Sequence, residues 1–365
     1  MNTRSSRCAR LAVLLAVVAT VATACGSSSK KSSTGSTATP APAQAPLASA
    51  TLNESGSTFQ FPYLQEVAKQ FSAAHSGVTI NVAPGGSGKG RQDLADQVVD
   101  FAATDALPKP EELSKFKGGP LLDFPTVAAP ITVSYNLSGV NSLKLDADTI
   151  AKIFERQIKS WDDPAIAALN PGAKLPSKPI TVAHRSDSSG TTQNFTTYLK
   201  AAAPSTWTLD AGSTVQWPTD TQAGNGNAGV AQIIKSGDGG IGYVDFSDAK
   251  ALALKFADIK NSAGKFVTPS LDGTSVALEQ ATVNPDLSYN PLNAAGDKAY
   301  PIATPTWIIA YKNQTDKAKG AALKSFLQFV YAKGQDIAGT VDYAKLSPNI
   351  LDKAKAQLEL FAIAS

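Results

Sequence analysis

The sequence predicts an α/β fold built as two domains. Short apolar strand patterns alternate with amphipathic helical patterns from about residue 50 onward, which argues for helices layered on a largely parallel sheet. At 365 residues the chain has room for two cores. Three loops rich in glycine and hydroxyl residues each open a helical pattern. Sheets of this kind gather such loops at the carboxyl ends of their strands, where ligands bind.

Residues 1–25 read as a secretory leader. Arg4, Arg7 and Arg10 precede an apolar run from Leu11 to Val21 that is too short to span a bilayer. In Ala22-Thr23-Ala24-Cys25-Gly26, small residues precede a cysteine, as at a bacterial lipoprotein cleavage site. Cys25 is therefore expected to carry a diacylglycerol thioether, and a second acyl chain on the new amino terminus would make the anchor stable. An ordinary leader with an incidental cysteine is the alternative. Cys8 would leave with the leader, so the mature chain would hold no disulfide and no cysteine-based metal site. The formal charge of +3 comes from the three leader arginines, because no acid precedes Cys25. A balanced mature chain argues against a nucleic-acid footprint.

Residues 26–49 are Ser, Thr, Ala, Pro and Lys with almost no large apolar residue. Such a stretch cannot bury a core and is expected to be a disordered tether. A strand leads from Leu52 into the first loop, followed by a helix over about 61–75 with Tyr63, Val67 and Phe71 on one face. A strand over 78–82, a helix over about 89–98 bearing Leu94 and Val98, and a strand over 101–103 complete the opening unit. The apolar run from Thr126 to Leu137 contains Pro130, which argues against a central strand throughout. A helix follows around Ile150–Phe154, then the turn Trp161-Asp162-Asp163-Pro164. The loop Gly224 to Gly229 precedes a helix marked by Val230, Ile233 and Ile234, and carries no hydroxyl cluster. Trp307–Tyr311 reads as a strand. Leu323, Phe326, Leu327 and Val330 give a helix ending before Gly334, and a last helix spans about 350–361.

The most informative run is ITVAHRSDSSGTTQNF, residues 180–195. It starts as a strand, breaks at Arg185, and resumes with Phe195, Tyr198 and Leu199 at helical spacing. The first turn of a helix has backbone N–H groups without partners and partial positive charge. Ser189 and Thr191 add hydroxyls, and Arg185 adds a forked cation. The run reads as a receptor for a tetrahedral oxyanion, with a capped loop as the plain alternative. Glu54-Ser55-Gly56-Ser57-Thr58-Phe59 and Pro84 through Arg91 repeat the design, which favours a shared anion pocket.

With these runs the chain resembles the phosphate-binding proteins of Pst-type ABC transporters. The matching pieces are SGSTF (55–59), GGSGKGRQ (85–92), VDFAATDA (99–106), AKIFERQIKSWDDPAIAALNPG (151–172), the 180–195 run and GGIGYVDF (239–246). The resemblance implies a periplasmic-binding-protein fold of two α/β lobes with a hinge and an interlobe cleft. Lobe I would comprise residues 50–130 plus 299–365, and lobe II residues 131–298. It implies phosphate contacts at Thr58, Phe59 (backbone N–H), Ser87, Asp105, Arg185, Ser189, Gly190 and Thr191. It also implies a monomeric, exported receptor held at the outer face of the membrane by the lipid on Cys25. That receptor would deliver inorganic phosphate to permease and ATPase subunits, with no cofactor and no metal. Lys89, Arg91 and Ser188 depart from the more glycine-rich pattern of the family, and Lys89 and Arg91 could raise the potential at the cleft mouth.

Two other classes compete with this reading. Gly85–Gly90 superficially suggests a P-loop, but Ala83 replaces its first glycine and Gly90 stands where Ser or Thr should bind magnesium. A phosphatase would need Ser189 or Thr191 as nucleophile and His184 as base, whereas His184 at a strand end reads as structural. A receptor for sulfate is the nearer rival. Asp105 bears on it, because an ionised carboxylate can only accept hydrogen bonds and hydrogen phosphate has a proton to give. The anchoring expectation is checked by detergent partitioning. Wild-type protein should enter the detergent phase, and Cys25→Ala should be released or left unprocessed; a membrane-bound, normally cleaved variant would refute it.

Overall fold

The computed structural model describes residues 47–364. The expected leader, Cys25 and nearly all of the tether lie outside the described residues. The chain begins with strand β1 (Ala50–Gly56), helix α1 (Phe61–Ala74), β2 (Val78–Pro84), α2 (Ser87–Ala95) and β3 (Phe101–Thr104). β1 lies between β2 and β3 and runs parallel to both. α1 starts at Phe61-Pro62, where proline costs no intrahelical bond, and buries Tyr63, Leu64, Val67, Ala68 and Phe71 along one stripe.

A second unit of the same kind follows. It holds β5 (Thr181–Arg185), α3 (Gly190–Ala202), β6 (Gln222–Gly224), α4 (Gly226–Ser236) and β7 (Gly240–Asp245). Here β5 lies between β6 and β7, again parallel to both. Between the units comes β4 (Leu121–Asn136), and β8 (Ala303–Tyr311) returns late in the chain. The sheet order is β2-β1-β3-β8-β4-β7-β5-β6.

The expectation of a largely parallel sheet holds for the two outer triplets only. β8 is antiparallel to β3 and β4, and β4 is antiparallel to β7. The central strands are the segments that pass between the halves, and so they meet head to tail. β4 also corrects the reading of Pro130. It is a single strand of 16 residues running through Pro125 and Pro130, buried from Phe124 to Tyr135. Its partners change at the proline: residues up to Pro130 pair with β8, and those from Ile131 onward pair with β7. A proline cannot donate to a ladder, so the seam between two partners is where a central strand can hold one. With both faces covered, the strand reads as a nearly continuous apolar run without alternation.

Other boundaries differ from expectation at their ends. α2 stops at Ala95, and Val98 stands beyond it, 67% exposed. The helix Lys317–Phe329 continues through a π turn, Val330–Gly334, into Gln335–Ala338, so Gly334 does not end it. Buried Gln335 holds that continuation by donating to the Thr126 carbonyl at 2.9 Å. The last α-helix is Pro348–Gln357, and residues 358–360 form a 3-10 turn. Among the described residues no helix is long and apolar enough to cross a membrane.

Glu54 on β1 is buried beneath the first loop. Its carboxylate accepts from the N–H groups of Ala83 and Ala103, each at 3.2 Å. Burial outweighs those bonds and pushes its pKa up to about 8. Burial, with Asp286 nearby, also pushes Asp123 up to about 7. Both acids bind a proton more tightly in the fold than in the unfolded chain. Between about pH 4.5 and 8 the folded state therefore holds more protons, and stability falls as pH rises through that window. Denaturant titrations at pH 5.5 and 8.5 should show the lower midpoint at 8.5. Glu54→Gln should narrow the gap, and an unchanged gap would refute the assignment.

Candidate functional site

The loops after β1, β2, β3, β5 and β6 meet at one end of the sheet. Thr58 and Phe59 lie in the turn after β1, and Ser87 is the first residue of α2. Asp105 directly follows β3, and Arg185 is the last residue of β5. Ser189 caps α3, its hydroxyl oxygen accepting from the Thr192 N–H at 3.1 Å, and Gly190 and Thr191 open that helix. Apart from half-buried Thr58, all of these positions are buried. The sequence spaces them over more than a hundred residues, and the two half-sheets bring them together.

Hydrogen bonds tie the two sides. Asp105 accepts from the Ser87 hydroxyl at 2.5 Å on its own side and from the Thr191 hydroxyl at 3.1 Å across the site. The Asn194 amide donates to the Asp105 carbonyl at 2.6 Å, and the Gly88 N–H donates to the Ser188 carbonyl at 3.0 Å. Gly190 is where the approach is tightest. A Cβ there would stand 2.5 Å from Asp105 Cγ and 2.6 Å from Ser87 Oγ. At Gly86, with φ of +88°, a Cβ would meet Asp187 Oδ2 at 2.3 Å. Only glycine lets the backbone come this close to those side chains without displacement.

Arg185 is both buried and paired. Its Nε donates to Asp187 Oδ1 at 2.7 Å and its Nη2 to Asp187 Oδ2, a bidentate fork. The remaining nitrogen, Nη1, points at Thr191 Oγ1 at 3.4 Å. The Arg185 N–H donates to the Tyr243 hydroxyl at 3.0 Å, which itself pairs with Thr192 Oγ1 at 2.7 Å. Burial works to raise the Asp187 pKa, but the bonds and charge of Arg185 and the Gly226 N–H hold it below its usual value. The Arg185–Asp187 pair is thus close to neutral as a unit, with one N–H edge left facing the site.

His184 takes no part in this network. Its Nδ1 lies 2.9 Å from the Arg185 carbonyl, and its ring stacks on Trp217 at 5.0 Å. Burial lowers its pKa in spite of that bond. No hydrogen bond joins it to Ser189 or Thr191 among the described residues. Lys89 and Arg91 do not line the mouth of the site as free cations. Lys89 pairs with Asp93 at 2.7 Å. Arg91 is buried, donating to the Ala106 carbonyl at 2.9 Å. Among the described residues no cluster of His, Cys, Asp and Glu could hold a metal ion.

One residue escaped the sequence reading. Asn227, the second residue of α4, is fully buried. Its backbone N–H meets Thr58 Oγ1 at 3.3 Å, and its side-chain amide reaches both Thr58 and Thr191. The loop around it, Gly224 to Gly229, is rich in glycine but holds no hydroxyl cluster. The usable signal was an amide at the start of a helix whose neighbours Gly226, Ala228 and Gly229 are all small.

A family model described as "PBP superfamily domain" matches residues 37–333. A protein of Pasteurella multocida named "Phosphate-binding protein PstS" is 34% identical, over 84% of this chain and 89% of that one. A protein of the same name from Methanocaldococcus jannaschii is 36% identical, over 78% and 79%. "Phosphate-binding protein PstS 3" of Mycobacterium leprae is 35% identical, over 81% and 83%. Among solved structures, a periplasmic phosphate-binding protein, PfluDING, bound with phosphate, superposes with a TM-score of 0.71 at 23% identity. That match covers 84% of this chain and 93% of the other, and concerns the fold, the mixed α/β architecture of periplasmic binding proteins.

The Gly190 contact yields a direct test. Alanine is the better helix former, so a purely local effect of Gly190→Ala would be neutral or stabilising. The clash with Asp105 should instead lower the melting temperature and enlarge the radius of gyration in small-angle scattering. Gly237→Ala, where a Cβ meets nothing within 4 Å, should change neither. A Gly190→Ala protein as compact as wild type would contradict the packing described.

Proposed function

We propose that this chain, which belongs to the PBP superfamily and within it to the PstS family, is an extracytoplasmic receptor that captures inorganic phosphate between its lobes. It would then pass the anion to the permease and ATPase subunits of an ABC transporter. The carrying observation is Asp105, a buried acceptor-only group set among donors. Thr58 offers a hydroxyl, Phe59 an N–H and Arg185 its Nη1 edge, while the Ser87 and Thr191 hydroxyls donate to Asp105 and would turn to the anion on binding. The first turn of α3 adds the N–H groups of Gly190 and Thr191. A ligand that satisfies this set must accept many hydrogen bonds and donate one. Hydrogen phosphate does so, with three bare oxygens and one P–OH. Asp105 already accepts from Ser87 and Thr191, and a carboxylate has about four lone-pair sites, so it retains capacity for the P–OH.

Charge alone does not select the ligand. Asp187 offsets Arg185 and Asp105 adds a negative charge, so binding rests on oriented hydrogen bonds in a site screened from water. Buried groups left unpaired reject a mismatched ligand more strongly than size does. Sulfate, which has no proton to give at neutral pH, would face Asp105 acceptor to acceptor. Capture of this kind needs positioning and closure, and no bond is made or broken.

The lobe division at 130/131 and 298/299 belongs to this reading. It is supported by the partner change in β4 between Pro130 and Ile131. Closure would swing the Arg185–Thr191 side onto the Thr58–Asp105 side, with β4 and β8 as the shared connections. Attachment through a lipid on Cys25 is likewise part of the proposal and rests on the leader pattern.

The test is competition of sulfate against labelled phosphate. Asp105→Asn replaces one acceptor with a donor and removes the repulsion between carboxylate and anion. Phosphate affinity should change little, because a lost charged hydrogen bond of roughly 1.5–3 kcal/mol is offset by lost repulsion. The sulfate-to-phosphate affinity ratio should rise at least about tenfold. Arg185→Ala should weaken both anions together. An unchanged ratio in Asp105→Asn would remove Asp105 as the selecting group.

A further inference from the structure

The side chain of Asn227 occupies the donors assigned above to the anion. Its orientation follows from its neighbours. Arg185 Nη1 and the Phe59 N–H can only donate, and together they outweigh the single long contact of the Asp245 N–H, 3.4 Å from the opposite atom of the amide, so the amide oxygen faces them. Oδ1 then lies 3.3 Å from Phe59 N and 3.3 Å from Arg185 Nη1. It also lies 3.1 Å from Thr58 Oγ1 and 3.2 Å from Thr191 Oγ1. Thr58 and Phe59 belong to the turn after β1; Arg185 and Thr191 belong to β5 and α3. A single neutral oxygen therefore gathers donors from both sides of the site. It has two lone pairs for four donors, and the Thr191 hydroxyl is also shared with Asp105 at 3.1 Å. Each distance exceeds the usual limit for its donor, about 3.2 Å for N–H and 3.0 Å for O–H, as befits an acceptor with more donors than it can serve.

We propose that the Asn227 amide oxygen is a built-in surrogate for one phosphate oxygen, pairing the donors until the anion displaces it. This rests on the phosphate reading above. A phosphate oxygen carries charge, and charge-assisted hydrogen bonds are shorter and about twice as strong as neutral ones. The anion therefore wins the exchange, and the amide turns away when it does. The surrogate keeps the buried Phe59 N–H and the Arg185 edge from standing unpaired. It also lowers the affinity for phosphate, since its bonds are given up on binding.

This role separates Asn227 from a ligand and from a merely structural residue. Removing a surrogate destabilises the phosphate-free protein but not the complex. Asn227→Ala should then melt lower without phosphate, gain more melting temperature on phosphate addition, and bind phosphate about three- to tenfold more tightly. Removing a residue that donates to the anion through Nδ2 would weaken binding. Removing a structural residue would lower the melting temperature equally with and without phosphate.

Calorimetry and thermal melts of wild type, Asn227→Ala and Asn227→Ser with inorganic phosphate decide the matter. Serine is too short to reach all four donors, so it gives the same readout should the alanine variant fail to fold. Tighter binding with a larger phosphate-induced shift is the expected result. If wild type binds phosphate and both variants bind equally or more weakly, the surrogate role is overturned and the receptor reading stands. If wild type binds no phosphate, both fall.

Discussion

The structure depends on one constraint: a buried helix start has backbone donors that the helix itself cannot satisfy. Here α2, α3 and α4 all begin at the same end of the sheet, on either side of the seam where β4 changes partners. The turn into α1 adds Thr58 and Phe59. Donors so concentrated, and largely withheld from water, require acceptors. Some are supplied internally, by the Ser189 hydroxyl, the Ser188 carbonyl and the Asn227 amide. The rest of the set is what the proposed oxyanion would satisfy.

Electrostatics then refine what geometry starts. A bare arginine would attract any anion. The Asp187 fork spends most of the Arg185 field and fixes its orientation, leaving one edge for recognition. Asp105, with one oxygen held by Ser87 and the other by Thr191, is oriented from both sides of the cleft. On the proposed reading the network would judge a ligand by where its protons lie as well as by its charge. The near-contact at Gly190 sets how closely the two sides approach there.

Much of this was legible in the sequence because it is local. The strand-to-helix switch at Arg185–Thr191, the small residues ahead of α2 and the acid after β3 are each written within a few residues of sequence. What was illegible depends on distant partners. Pro130 looks like a strand breaker until the strand is seen to change neighbours there. Arg91 looks like a cation at a loop mouth, whereas its guanidinium turns inward to the Ala106 carbonyl. Val98 fits the helical spacing of α2, but the helix ends three residues earlier. Asn227 carries no local mark of its role, because its partners Thr58 and Thr191 lie 169 and 36 residues away.

The central claim is that one hydrogen phosphate sits among these helix starts with its proton given to Asp105. A high-resolution crystal structure of the phosphate complex tests it most directly. The account predicts one phosphate oxygen within about 2.7 Å of an Asp105 carboxylate oxygen, the length of a charge-assisted O–H···O bond. The other oxygens should meet Thr58, Phe59 N–H, Arg185 Nη1 and the first turn of α3, with the Asn227 amide oxygen withdrawn. Phosphate bound elsewhere, or bound here with Asp105 turned away, would contradict it.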